Sequence, residues 1–423
     1  MIPGFLCNGE ADACFNAQRY RARGKEPHPQ GCGFFCARSA IPGPLEKGTY
    51  GIQGSTWAIA QGGHMTSRER VRIVLEGGVP DRVPFQDAYW ETTVERWRTE
   101  GMPADVSPED YFGCEIVKLG GDYTLQLPEQ VIEETDRYRI YKDSNGATRK
   151  DLNTADGWTP SWLGFTIKGR EDWEAVRDQA GFRPSRIAKG ILERYRSARD
   201  AGKFVAFGAH ACFHPTWQKI GMEEMFIWMQ EDPEFVSDLY AIHTKLIIDL
   251  FDGIRAKGVE FDGAWLSDDL GYRNAPLISP KMYRNLVKPH HKRLCDHFAE
   301  LGLRTIFHSD GNVGPLIPDF IDAGFRALNP LEAKAHLDVS ELKAEYGKDL
   351  VLFGNIDVRK LVGTRSEIEE EIATKVCAGK VDGGYIYHSD HSVPNDVSLE
   401  NYRFALEMLK KYGTCNQAKR DGG

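Results

Sequence analysis

Residues 304–312 read Arg304-Thr-Ile-Phe-His308-Ser-Asp310-Gly311-Asn312. Thr305, Ile306 and Phe307 make a short apolar, β-prone run that stops at a histidine, a carboxylate and a glycine. A buried parallel strand that ends in polar groups has this pattern. In α/β barrels the residues at the C-terminal ends of strands face the active site. Taken in isolation, the same residues also suit a turn with a hydrogen-bonded histidine. What decides is that other apolar runs of the chain end in the same way.

Working outward from this run, a strand over 83–85 ends at Gln86 and Asp87, and a further strand is expected over 114–119. The run 204–207 is followed by Gly208, His210 and His214, and the run 261–266 by Asp268 and Asp269. Ala327-Leu328 leads to Asn329-Pro330, the run 350–353 to Asn355 and Asp357, and the run 384–387 to His388-Ser-Asp390-His391. Helices alternate with these runs and carry start and stop signals: Asp232-Pro233, Ser279-Pro280, Asp338 and Ser398 open them, and Gly258, Gly302 and Gly413 close them. Pro289 lies inside one helix and should kink it. About eight strands in βα alternation, without a GxGxxG turn, predict a single TIM (β/α)8 barrel rather than a doubly wound open sheet. Between 131 and 167 the alternation changes to period two around Ser144-Asn145-Gly146, a hairpin signal. This insertion is expected to form a lid or wall over one barrel end, with Trp158, Trp162 and Phe165 in its core.

The ordered pattern begins at Met65, where Thr66-Ser-Arg-Glu69 has the form of a capping box. Residues 1–64 show no sustained period and are expected to be a disordered or tag-like extension, with the barrel over 65–413 and a disordered tail over 414–423. Cys7, Cys14, Cys32 and Cys36 fall in the extension without CxxC spacing, a weak basis for a zinc site. The other five cysteines are scattered, as reduced thiols are. A net charge of −9 speaks against nucleic-acid or anionic-membrane partners. No run approaches a membrane span and no export signal is evident, so a cytoplasmic protein is expected.

Barrel closure would bring Asp87, His210, Asp269, His308, Asp310, Asn355 and His391 onto one rim. His308 and Asp310 are two apart, so in an extended segment they share a side. An imidazole and a carboxylate there could hold one divalent cation, with His391 as third ligand and a position left open. Of the adjacent pair Asp268-Asp269, one is expected to be held by partners and one exposed; either could cap the turn that follows. His210 and His214 would share a face only on a helix, which Pro215 disfavours, and His290-His291 is expected to be solvated mid-helix.

Asp81-Arg-Val-Pro84, Ser267-Asp-Asp-Leu-Gly271, Ser279-Pro280 with Lys288-Pro289, His308-Ser-Asp-Gly-Asn312, Gly354-Asn-Ile-Asp357 and His391-Ser-Val-Pro394 with Glu400-Asn401 resemble, in order and spacing, the uroporphyrinogen decarboxylase superfamily. The resemblance runs from about Met65 to Tyr412 and implies a single TIM barrel. It also implies one of two chemistries, porphyrinogen decarboxylation or zinc-dependent methyl transfer with a corrinoid protein. Where the decarboxylases carry an arginine-rich segment for substrate carboxylates, this chain has Gln86-Asp-Ala-Tyr-Trp90. Where the thiol methyltransferases bind zinc through His-x-Cys and a later Cys, it has His308, Asp310 and His391. Nitrogen and oxygen donors still suit zinc, and harder metals become competitive.

Three functions are expected in order. The first is metal-dependent methyl transfer or demethylation of a small molecule, with a corrinoid protein as partner. Its metal would sit on His308, Asp310 and His391, with catalytic roles for Asp269, Asp87 and His391 and substrate contacts from His210, Asp268, Asn355 and Asp357. The second is metal-free decarboxylation, with Asp87 or Asp269 holding a pyrrole-like N–H and His391 as proton donor. The third is a non-catalytic binding barrel. A homodimer is compatible with each.

Overall fold

In the computed structural model, residues 65–153 and 160–415 are described. The extension 1–64 with its four cysteines, Trp158, and the tail from 416 lie outside the described residues. Along the chain the strands are β1 (Ile116–Leu119), β2 (Gln130–Glu134), β3 (Tyr138–Lys142), β4 (Ala147–Leu152), β5 (Ser161–Phe165), β6 (Phe204–His210), β7 (Gly263–Ser267), β8 (Arg304–His308), β9 (Ala327–Asn329), β10 (Val351–Phe353) and β11 (Tyr385–Ile386). Seven of them form one all-parallel sheet in the order β1, β6, β7, β8, β9, β10, β11. In place of an eighth strand, the short segment 83–87 closes the ring. Gln86 N–H donates to the Tyr387 carbonyl at 3.1 Å and Tyr387 N–H to the Pro84 carbonyl at 2.9 Å, while on the other edge Glu115 N–H donates to the Phe85 carbonyl at 2.9 Å. The Gln86 side chain accepts from Ile116 N–H at 2.9 Å, so a side chain completes the ladder there. The protein is an α/β TIM-type barrel, as expected from the strand alternation.

Alternation along each strand divides the core in two. Ile116, Ala206, Trp265, Ile306 and Phe353 point inward, and the helix Ser67–Leu75 adds Val71, Val74 and Leu75 to this inner cluster. That helix starts at the expected capping box, with Thr66 and Glu69 bonded reciprocally. The larger outer cluster, including Phe207, Leu266, Phe307 and Leu328, packs under the surrounding helices.

Ser144-Asn145-Gly146 is a hairpin turn: β3 and β4 pair antiparallel on either side of it, and β2 and β5 complete a four-stranded sheet. Trp162 lies parallel to Phe165 at 5.8 Å and edge-on to Trp217 at 5.3 Å, which docks this sheet beside the helix that follows β6. Three local expectations change. Pro289 produces no simple kink, because a π-helical turn, Tyr283–Val287, joins Pro280–Met282 to Lys288–Glu300 just before it. His290 and His291 are buried at 8% and 0% exposure rather than solvated, since their helix turns that face to the barrel wall. The chain also stays docked past Gly413, where Thr414 pairs with Arg82 and Cys415 N–H donates to the Asp81 carbonyl. No helix among the described residues is long and apolar enough to cross a membrane.

Glu115 locks the closing segment. Its buried carboxylate accepts from Arg70 Nη1 at 2.7 Å, Arg82 Nη1 at 2.6 Å and Phe85 N–H at 3.0 Å. Arg70 in turn grips Asp81 through two bonds of 2.6 and 2.8 Å. Inner helix, closing segment and β1 therefore meet on one carboxylate. Removing one partner of a buried ion pair typically costs about 3–5 kcal/mol. Glu115→Ala is expected to lower the unfolding free energy by that order in denaturant titration. A loss within the error of the parent value would show that closure does not depend on this network.

Candidate active site at the barrel mouth

The C-terminal ends of β7 and β8 carry the centre of the site. Asp268 and Asp269 divide as adjacent carboxylates should. Asp268 is fully buried and accepts from the N–H groups of Cys212 at 3.1 Å, Phe213 at 2.8 Å and His214 at 2.5 Å, and faces His291 Nε2 at 2.9 Å. His291 Nδ1 meets the Tyr283 hydroxyl at 3.0 Å. This satisfies the start of the helix Phe213–Ile220 and fixes His214 in its first turn. Pro215 is harmless there, since the first-turn N–H groups have no helical partner.

Asp269 faces the mouth. His214 Nδ1 stands 3.0 Å from its Oδ2, and His308 Nε2 lies 4.0 Å from its Oδ1. Gln218 Nε2 lies 2.9 Å from His214 Nε2, which places the histidine proton on Nδ1, toward the acid. Burial raises the Asp269 pKa, but the His214 contact and the neighbouring His308 outweigh it and hold the carboxyl well below its ordinary range. His308 Nε2 is also 3.6 Å from Asp310 Oδ1, while its Nδ1 meets Asn329 Oδ1 at 2.6 Å. Asn329 is anchored by donating to the Phe353 carbonyl at 3.2 Å.

Two glycines bring the loops after β7 and β8 together. A Cβ on Gly271 would lie 2.3 Å from the Asp310 carbonyl oxygen. One on Gly311, whose φ is +80°, would lie 2.5 Å from the Gly271 carbonyl carbon. Asn312 N–H donates to the Tyr272 carbonyl at 2.7 Å, and Leu270 N–H to Ser309 Oγ at 2.9 Å. This backbone contact sets Asp269 beside Asp310.

The expected triad of His308, Asp310 and His391 is divided over two groups that share Asp310. Ligand atoms of Asp269, His308 and Asp310 all lie within 4.8 Å of one another, as do those of Asp310, Glu332 and His391. The ring of His391 stacks on Trp90 at 5.7 Å, with Nδ1 toward the Ser392 carbonyl at 3.5 Å. Burial, with Asp310 nearby, pushes the Glu332 carboxyl up to about 7. Buried Asp390 accepts from Ala333 and Val358 N–H, at 3.1 and 3.0 Å, and so ties the loop of Glu332 to that of His391.

The remaining expected residues lie around this centre. His210 packs against the His214 ring at 5.0 Å, and burial lowers its pKa to about 4. Asp268 acts through His214 and does not reach the mouth, because its oxygens are taken by backbone donors and His291. Asn355 is fully buried and bonds Val339 N–H and the Leu331 and Leu337 carbonyls, so it shapes loops. Asp357 is spent on a two-pronged pair with Arg359. Asp87 is buried beneath the rim, accepting from Tyr402 Oη at 2.7 Å, Ser389 Oγ at 2.8 Å and two backbone N–H groups.

Sequence reading missed Glu332 and Lys118. Lys118 stands two residues after inward-facing Ile116, with Nζ 4.5 Å over the Trp265 ring. It is open to the mouth yet enclosed by the wall, and that enclosure lowers its pKa. The available signal was a lysine inside an apolar strand. Glu332 had none, since it lies in a loop three residues past Asn329.

The class of protein follows: a closed parallel barrel whose titratable groups gather at the C-terminal mouth. Residues 208–412 match the family described as Uroporphyrinogen decarboxylase (URO-D). It is 27% identical over 134 residues to a uroporphyrinogen decarboxylase of Thermus thermophilus, covering 32% of this chain and 38% of that protein. A uroporphyrinogen decarboxylase of Pseudoalteromonas atlantica is 31% identical over 77 residues, 18% of this chain and 21% of that protein. The chain thus matches well under half the length of these curated relatives. Among solved structures, a methyltransferase from Methanosarcina mazei shares the fold with a TM-score of 0.60 at 18% identity, over 82% of this chain and 99% of that one.

Two outcomes test this geometry. Gly271→Ala would push the two loops apart against backbone on both sides. It is expected to lower the melting temperature by several degrees, the order of about 1–3 kcal/mol for overpacking. An unchanged melting temperature would contradict the contact. The second concerns Asp87, whose carboxyl burial pushes up to about 7 despite the donors around it. Its folded pKa exceeds the unfolded value of about 3.9. Its contribution is therefore complete below that value and lost as pH rises toward 7. Asp87→Asn removes the titration, so the stability difference between variant and parent should shift in the variant's favour from pH 5 to pH 7. Denaturant titrations across that range that keep a constant difference would contradict it.

Proposed function

We propose that the protein is an enzyme of metal-dependent methyl transfer or demethylation, acting on a small molecule with a corrinoid protein as partner. The observation that carries this reading is the ligand-like spacing at the mouth. His308 Nε2 stands 3.6 Å from Asp310 and 4.0 Å from Asp269. Donors around a tetrahedral ion with bonds of about 2.1 Å lie about 3.4 Å apart, so a small contraction would complete a cage. The shared fold with the Methanosarcina mazei methyltransferase supports the same reading.

His308, Asp310 and Asp269 would hold the ion, with His391 on the other side of Asp310. The donors are nitrogen and oxygen, which suits zinc or a harder divalent metal. Bound there, such an ion supplies Lewis acidity to a heteroatom of the substrate. The protein groups do the rest. Asn329 accepts from His308 Nδ1–H, which aims Nε2 at the carboxylates. Asp269, held ionised, is too weak a base to take a proton easily, so it orients substrate. His210 is neutral near pH 7 and offers a hydrogen bond on the adjoining wall. Lys118 is the cationic side chain of β1 that faces the mouth.

The decarboxylase reading is favoured by the names of the sequence relatives. It asks Asp87 or Asp269 to bind a pyrrole-like N–H; Asp87 is already occupied beneath the rim, which leaves that role to Asp269. A many-carboxylate substrate also fits poorly beside Asp269, Asp310 and Glu332. His308→Ala separates the readings. Metal content should fall by at least tenfold, with turnover, while the melting temperature changes by no more than a few degrees. Unchanged metal content would remove His308 as a ligand, and full turnover by metal-free parent protein would favour decarboxylation.

A further inference from the structure

We infer that the mouth binds two divalent cations bridged by the Asp310 carboxylate, one held with Asp269 and His308 and the other with Glu332 and His391. This rests on the metal reading above and extends it. Asp310 belongs to both ligand groups, and among the described residues no group within 4.8 Å contains both His308 and His391. One ion with bonds of about 2.1 Å cannot gather donors spread over both groups. Two ions about 3.5–4 Å apart can, with one Asp310 oxygen toward each.

Both histidines are prepared in the same way. His308 turns Nδ1 to Asn329 Oδ1, and His391 turns Nδ1 to the Ser392 carbonyl while Trp90 fixes its ring. Each therefore presents Nε2, the arrangement of a metal-ligating imidazole held by an outer partner. Charge points the same way. Asp269, Asp310 and Glu332 bring three carboxylates together, and the lysine that pairs with them is Lys334, whose Nζ is 3.5 Å from Glu332. Glu332 is only 5% exposed while Lys334 is half-exposed, and a buried carboxylate compensated only from the solvent side remains costly. Oxygen and nitrogen donors without thiolate suit zinc or a harder divalent ion such as manganese. Such a pair takes a substrate with two adjacent donor atoms, one for each ion.

The test uses the full chain, stripped of metal and loaded with manganese chloride, read by equilibrium dialysis and electron paramagnetic resonance. Two ions per chain with an exchange-coupled multiline spectrum are expected. Glu332→Gln and, separately, His391→Asn should each leave one ion per chain with a six-line signal and a parent-like circular dichroism spectrum. Either variant suffices if the other fails to fold. One ion in the parent overturns the bridged pair and leaves the single-metal reading standing. Two ions without coupling, or two retained in both variants, overturn it as well. No bound manganese or zinc overturns both the pair and the single-metal reading.

Discussion

The mouth of this barrel depends on one buried carboxylate, Asp268. It takes up three backbone N–H groups at the start of the helix after β6 and meets His291 from the helix before β8. Two neighbouring βα units are thereby joined at one point. The cost of burying a carboxyl group is offset because each oxygen is hydrogen-bonded. Once Asp268 is held inside, Asp269 has to turn outward, and His214, in the turn that Asp268 ties down, comes to stand against it. The carboxylate presented at the mouth is placed by its buried neighbour.

A second constraint is backbone contact. Gly271 and Gly311 touch where any side chain would collide, and this puts Asp310 beside Asp269 despite their like charge. Such closeness of carboxylates is unfavourable unless a cation or proton compensates it. Neighbouring histidines compensate in part, while burial first and Asp310 second raise the pKa of Glu332. The electrostatics of the mouth thus call for positive charge from a ligand, which ties the architecture to the proposed chemistry.

Barrel closure is the weakest part of the ladder and the most reinforced by side chains. The segment 83–87 contributes few backbone bonds, and Glu115, Arg70, Arg82 and Gln86 supply the rest. The hairpin insertion β2–β5 leans on Trp217, one turn beyond His214. Its docking therefore reaches the same helix that Asp268 caps.

The strands were legible because each is a run of buried apolar residues that stops at a polar one, and that periodicity is local. Helix starts at Thr66, Asp232, Ser279, Asp338 and Ser398 were legible for the same reason: caps are satisfied within four residues. Asp269, His308 and Asp310 could be nominated from strand ends alone. Their roles relative to one another could not. Whether Asp268 or Asp269 faces the mouth depends on donors more than fifty residues away. His291 looks like a solvated mid-helix residue until its helix docks on the wall. Asn355, Asp357 and Asp87 have the right residue types, but hydrogen bonds to distant loops or to Arg359 consume them. Glu332 enters the site only because Asp390 ties its loop to that of His391. The sequence by itself determined the barrel and the rim on which chemistry can occur, since both follow from local pattern. Tertiary structure alone decided which acids are buried and which are presented, because that depends on partners brought together only when the barrel closes.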